Sequence, residues 1–148
     1  MINQPSNKST ILVLDDEPEF LQWLFEYLEE KGYTVESVHN IADAIEKLEK
    51  RAYRFFLADL SVPVSPSLEQ TLTTEGLVYR QYPGLYVAHL ARDKGYRARQ
   101  VVVYSVHDVA GVQEVADRIG VRYILKGRPR ALKAEIDDVL QYDPTDDR

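Results

Sequence analysis

Residues 11–18 read ILVLDDEP. With Thr10 before them and Asp15 after, the four apolar residues make a run of the length and bulk of a buried strand. Pro18 stands where a helix accepts proline at its first position, and Asp16, Glu17 and Glu19 suit the positive end of that helix's dipole. Phe20, Leu21, Leu24, Phe25 and Leu28 then recur at helical spacing, up to a stop at Gly32. After a polar arm over residues 1–9, the chain therefore opens with a strand that passes through acids into a helix.

The alternation continues. Tyr33–Val38 reads as a second strand, and Asn40 caps a helix striped by Ile41, Ala44, Ile45 and Leu48. Tyr53–Leu60 is a third strand, and Leu85–Lys94 is a helix closed by Gly95. Gln100–Ser105 (QVVVYS) is a fourth strand. Val112, Val115, Ala116 and Ile119 stripe a helix that stops at Gly120, and Val121–Leu125 is a fifth strand. Pro129 starts a last helix with Leu132, Ile136, Val139 and Leu140 on one face. Strand–helix pairs in this order define an α/β fold, a parallel sheet covered by helices on both faces. No fixed period repeats, which argues against a solenoid. Ser61–Pro83 breaks the rhythm, because such connections usually take about 2–6 residues.

Composition sets the bounds. A chain of 148 residues, 45% hydrophobic, predicts one domain with a core of its own. That domain is expected over residues 10–141, with a tail over 142–148. The absence of cysteine excludes a disulfide scaffold and every Cys-ligated metal, and fits a reducing, cytoplasmic setting. No apolar run approaches a membrane span, and the polar N-terminus is not a signal peptide. A net charge of −6 argues against bulk nucleic-acid binding. The basic stretches Arg92–Arg99 and Lys126–Lys133 are accordingly read as solvated helix ends.

In a doubly wound sheet, ligands sit beyond the C-terminal ends of the strands. The first strand ends in Asp15 and Asp16, the third in Asp59, the fourth in Ser105, and Lys126 follows the fifth. If the first and third strands are neighbours, three carboxylates converge, and like charges that close hold on to protons unless a cation sits between them. All-oxygen donors favour a hard ion, with Mg²⁺ the natural choice. The set suits phosphoryl transfer, in which the protein positions the group and neutralises its oxygens. Asp59, alone at its strand end, is the candidate nucleophile. Asp16 is the candidate direct metal ligand, and Asp15 holds the metal through water or orients Lys126. Aspartates after strands also serve as turn formers and helix caps.

The chain resembles a response regulator receiver domain of two-component signalling. The likeness lies in ILVLDDEP, in FFLADLSVP with Asp59 and Pro63, in VVVYS with Ser105, and in YILKG with Tyr123 and Lys126. It spans about residues 9–141. It implies a doubly wound five-stranded parallel sheet in the order 2-1-3-4-5, flanked by five helices, with an insertion after the third strand. It implies phosphorylation on Asp59, an acidic Mg²⁺ pocket of Asp15, Asp16 and Asp59, and the Ser61 backbone carbonyl as a further ligand. Ser105 and Tyr123 would be the switch residues. A histidine kinase or phosphotransfer protein would donate the phosphoryl group. A downstream protein or a second copy would read the face made by residues 108–141. No enzymatic turnover is implied beyond phosphorylation and dephosphorylation of the domain itself.

Several positions depart from that family. Gly127 replaces the usual proline, so its peptide bond is expected to be trans. Val106 stands where Ala or Gly is usual and is expected to narrow access to the site, while His107 occupies a position that in the family tunes dephosphorylation, or is simply a helix-start residue. Gly84 takes the part of a glycine normally about eight residues after the phosphorylated aspartate, so residues 64–82 read as inserted. That segment is expected to be a lid or docking element, or else a tolerated surface excursion. A phosphorylation-independent interaction module is the alternative function. A DxD-type phosphatase is disfavoured by Ser61, two residues after Asp59, and a flavin protein by the acidic turn DDEPEF.

Overall fold

The structure, a computed structural model, describes residues 9–105, 110–125 and 129–142. The expectations placed on Val106, His107, Lys126 and Gly127 fall outside those residues. Among the described residues the sheet has five parallel strands in the order β2-β1-β3-β4-β5. They are β1 (Thr10–Leu14), β2 (Thr34–Val38), β3 (Phe56–Asp59), β4 (Val101–Ser105) and β5 (Arg122–Leu125). The order agrees with the one expected. β1, β3 and β4 are buried along their whole length, as central strands covered on both faces must be. The edge strands β2 and β5 are more open.

Side-chain alternation splits the interior into two cores. Leu12, Leu14, Phe56, Ala58, Val101 and Val103 face one way, against α2 (Ile41–Lys50), α5 (Pro83–Asp93) and α6 (Ala110–Ile119). Ile11, Val13, Phe55, Leu57, Val102 and Tyr104 face the other, against α1 (Gln22–Glu30) and α7 (Pro129–Leu140).

The helix count differs from the five expected: seven α-helices are present among the described residues. The two additional ones, α3 (Pro66–Glu75) and α4 (Leu77–Gln81), lie inside the inserted segment. Ser65 caps α3 by accepting the Leu68 N–H at 3.4 Å, and Pro66 occupies its first turn. Leu72 is fully buried, and Leu68, Val78, Tyr79 and Tyr82 pack against the first core. The segment is thus an anchored extension of that core.

Two smaller expectations change. Pro18–Leu21 is a 3-10 turn ahead of α1, and its tighter winding takes Phe20 off the stripe of Leu21, Leu24 and Leu28. Phe20 is consequently 64% exposed. β3 begins at Phe56, three residues later than expected, because Tyr53 is tied elsewhere. Its N–H donates to the Tyr96 hydroxyl at 2.7 Å, and its own hydroxyl donates to Glu36 at 2.6 Å. No helix among the described residues is long and apolar enough to cross a membrane.

Candidate functional site

Asp15 and Asp59 stand at the C-terminal ends of adjacent strands, since β1 and β3 pair directly with Leu14 opposite Ala58. Asp15 is fully buried, Asp59 is 8% exposed, and Asp16 is exposed. One carboxylate oxygen from each lies within 4.8 Å of the others. The topology therefore brings together the three acids singled out at the strand ends.

Each buried acid also closes the turn behind its strand. Asp15 Oδ1 accepts the Glu17 N–H at 2.8 Å, and Asp59 Oδ1 accepts the Ser61 N–H at 3.1 Å. The turn-former role thus coexists with convergence. The Asp59 loop is held from below as well. Leu60 N–H donates to the Tyr104 carbonyl at 3.1 Å, and Gly84 N–H donates to the Leu60 carbonyl at 3.0 Å. Gly84 passes so near that only glycine fits there, which explains the glycine expected after the insertion.

Ser105 ends β4, 3% exposed, opposite Leu125 in the register. Tyr123 sits opposite Val103 on β5, half-buried against the first core. Both therefore lie on the two strands beyond β3, on the side away from β1. Ser61 follows Asp59 at the surface, where its backbone borders the pocket. Lys126 lies outside the described residues. In the basic stretch Arg92–Arg99, Arg92 donates to the carbonyls of Ile119 and Tyr96, at 3.2 and 2.6 Å. Arg99 pairs with Asp138 at 3.9 Å. These cations serve helix ends and neighbouring elements.

Tyr104 belongs to the site without having been singled out in the sequence. It is the register partner of Asp59, fully buried, and its hydroxyl donates to Asp15 Oδ2. Burial first, then the Asp15 carboxylate, push this phenol far above its ordinary range, so it stays protonated and donates. The available signal was a polar tip in an otherwise apolar buried strand, which needs a partner.

The donor set fits a small hard cation. Three carboxylates, two of them withdrawn from water, offer oxygen ligands only, and their mutual repulsion favours a divalent ion such as Mg²⁺.

No family model and no curated protein matches the chain. Solved structures do. A receiver domain protein (CheY-like) from Methanospirillum hungatei is 20% identical at TM-score 0.68, covering 90% of this chain and 94% of that one. A two-component response regulator from Clostridium difficile is 19% identical at TM-score 0.67, covering 90% and 96%. The response regulator TrrA of Thermotoga maritima, in complex with Mg(2+)-BeF, is 22% identical at TM-score 0.64, covering 88% and 98%. The chain has the fold of response regulator receiver domains.

Proposed function

We propose that the protein is a phosphorylation-activated signalling switch whose phosphoacceptor is Asp59. The observation that carries this reading is the convergence of Asp15, Asp16 and Asp59 within 4.8 Å at the C-terminal edge of a sheet ordered 2-1-3-4-5. A histidine kinase or phosphotransfer protein is the donor. Its phosphohistidine P–N bond breaks as an Asp59 O–P bond forms, and the imidazole leaves with a proton. Asp15, Asp16, Asp59 and the Ser61 carbonyl would hold Mg²⁺, which when bound neutralises charge on the phosphoryl oxygens. A Mg(2+)-BeF complex of a protein with the same fold supports that assignment.

The chain's own groups do the rest. The Ser61 N–H orients the Asp59 carboxylate. Lys126 supplies a second positive charge, and Ser105 a hydroxyl for the new oxygens. Tyr123 follows Ser105 inward, since the two lie on neighbouring strands. This is a shift between two packings biased by a local change of charge. Output is by protein contact, to a downstream target or a second copy, through the face over residues 108–141. The setting is cytoplasmic.

The test is incubation with Mg²⁺ and acetyl phosphate. An acid-stable, base-labile adduct that is lost in Asp59→Ala supports the switch. No adduct, with acetyl phosphate or with candidate kinases, leaves the phosphorylation-independent interaction module in its place.

A further inference from the structure

We infer that Tyr104 is a positioning residue for the cation pocket: its hydroxyl clamps Asp15 in the orientation from which that carboxylate serves a bound divalent ion. This rests on the reading of the three aspartates as a cation pocket. The geometry is specific. Tyr104 is on β4 and Asp15 follows β1, with β3 between them. The side chain therefore crosses beneath the end of β3, where Asp59 is its own register partner, to reach Asp15 Oδ2. The opposite oxygen, Oδ1, is held by the Glu17 N–H at 2.8 Å. A carboxylate gripped at both oxygens and fully buried has no rotational freedom left. Asp59 is the backbone register partner of the same tyrosine, so Tyr104 adjoins both buried acids.

This arrangement also divides the labour. With both oxygens fixed by protein donors, Asp15 is the immobile carboxylate of the pocket; Asp59 is held at Oδ1 by the Ser61 N–H, and the exposed Asp16 is the one best able to turn toward an ion. Partners behind a metal's ligands fix ligand orientation, and their loss typically weakens metal binding about 10–100-fold.

The test is Tyr104→Phe, which keeps the ring and removes only the hydroxyl. Mg²⁺ binding is read by calorimetry without any phosphoryl donor, alongside the unfolding curve of the metal-free protein. The expected result is about tenfold weaker Mg²⁺ binding. The loss should be much smaller in an Asp15→Asn background, where the clamped carboxylate is already gone. An unchanged Mg²⁺ affinity in a folded Tyr104→Phe protein overturns the inference and leaves the phosphoacceptor reading intact. A tenfold loss together with no adduct on Asp59 upholds the inference and overturns that reading. A wild-type chain that binds no Mg²⁺ overturns the inference. Should Tyr104→Phe fail to fold, a single 3-fluorotyrosine at position 104 preserves the packing. Its ¹⁹F resonance should then move with the Mg²⁺ binding isotherm, and a resonance that stays fixed at saturating Mg²⁺ overturns the clamp.

Discussion

Gly84 rests directly on the backbone of Asp59: a Cβ added to Gly84 would stand 2.0 Å from the Asp59 carbonyl oxygen and 2.9 Å from the Leu60 α-carbon. Both obstacles are main chain and cannot rotate away. The first turn of α5 therefore fixes the height of the β3 end, and with it the Asp59 carboxylate. Gly84→Ala should cost about 2–3 kcal/mol, as overpacking does, and should also slow adduct formation on Asp59. Gly111→Ala is the control. That glycine lies in α6 with open space around it, so the change should stay within about 1 kcal/mol. Urea unfolding of both variants checks the contrast, and equal losses would remove the contact from the explanation.

Crowding of the three carboxylates should destabilise the metal-free protein. Asp59→Asn removes one charge without changing shape, and should raise stability in chelator by about 1 kcal/mol. Mg²⁺ should raise the melting temperature of the wild type in a concentration-dependent way, and that of Asp59→Asn much less. Thermal scans across a Mg²⁺ series read both effects.

Leu72 tests whether the inserted helices belong to the fold. A fully buried leucine replaced by alanine costs about 2–5 kcal/mol, and a leucine on a loose excursion costs almost nothing. Leu72→Ala should fall near the lower end, because α3 and α4 can partly collapse onto α5. Denaturant unfolding together with limited proteolysis within residues 64–82 distinguishes the outcomes.

Buried tyrosines predict alkaline instability. Burial raises Tyr96 to about 12, only partly countered by the Tyr53 N–H that donates to its oxygen. Tyr53 is raised as well, by burial and then by Glu36. A phenol whose folded value lies above the ordinary 10 contributes stability that is intact below pH 10 and is lost as pH rises through about 12. The denaturation midpoint should therefore hold up to about pH 10 and then decline. Tyr96→Phe should decline less steeply. At neutral pH it should already be about 1 kcal/mol weaker, because the buried Tyr53 N–H loses its acceptor.

The legible part of the fold was whatever a strand end or a helical stripe announces locally. Asp15, Asp16 and Asp59 could be found because a position at the end of a buried run is also a position at the sheet's C-terminal edge. Tyr104 could not be found that way. In VVVYS it reads as one more bulky strand residue, and its partner Asp15 lies two strands away, a proximity created only by the strand order. The helices of the insertion leave little trace in the sequence for a different reason. α4 has five residues, too few to show a period, and α3 buries Leu72 alone. Phe20 fits a helical stripe in the sequence yet leaves it in the fold, because Pro18–Leu21 winds as a 3-10 turn with a different period.

The hydrogen bond from Gly84 N–H to the Leu60 carbonyl, 3.0 Å long, joins the two ends of the inserted segment. The chain leaves the sheet after β3 and returns to almost the same point before α5. The strands β3 and β4 consequently keep their register whatever the length of the intervening stretch. Residues 64–82 thus form a cassette with a fixed doorway beside the acidic pocket. A different sequence could be exchanged there to give the same three aspartates a new neighbour.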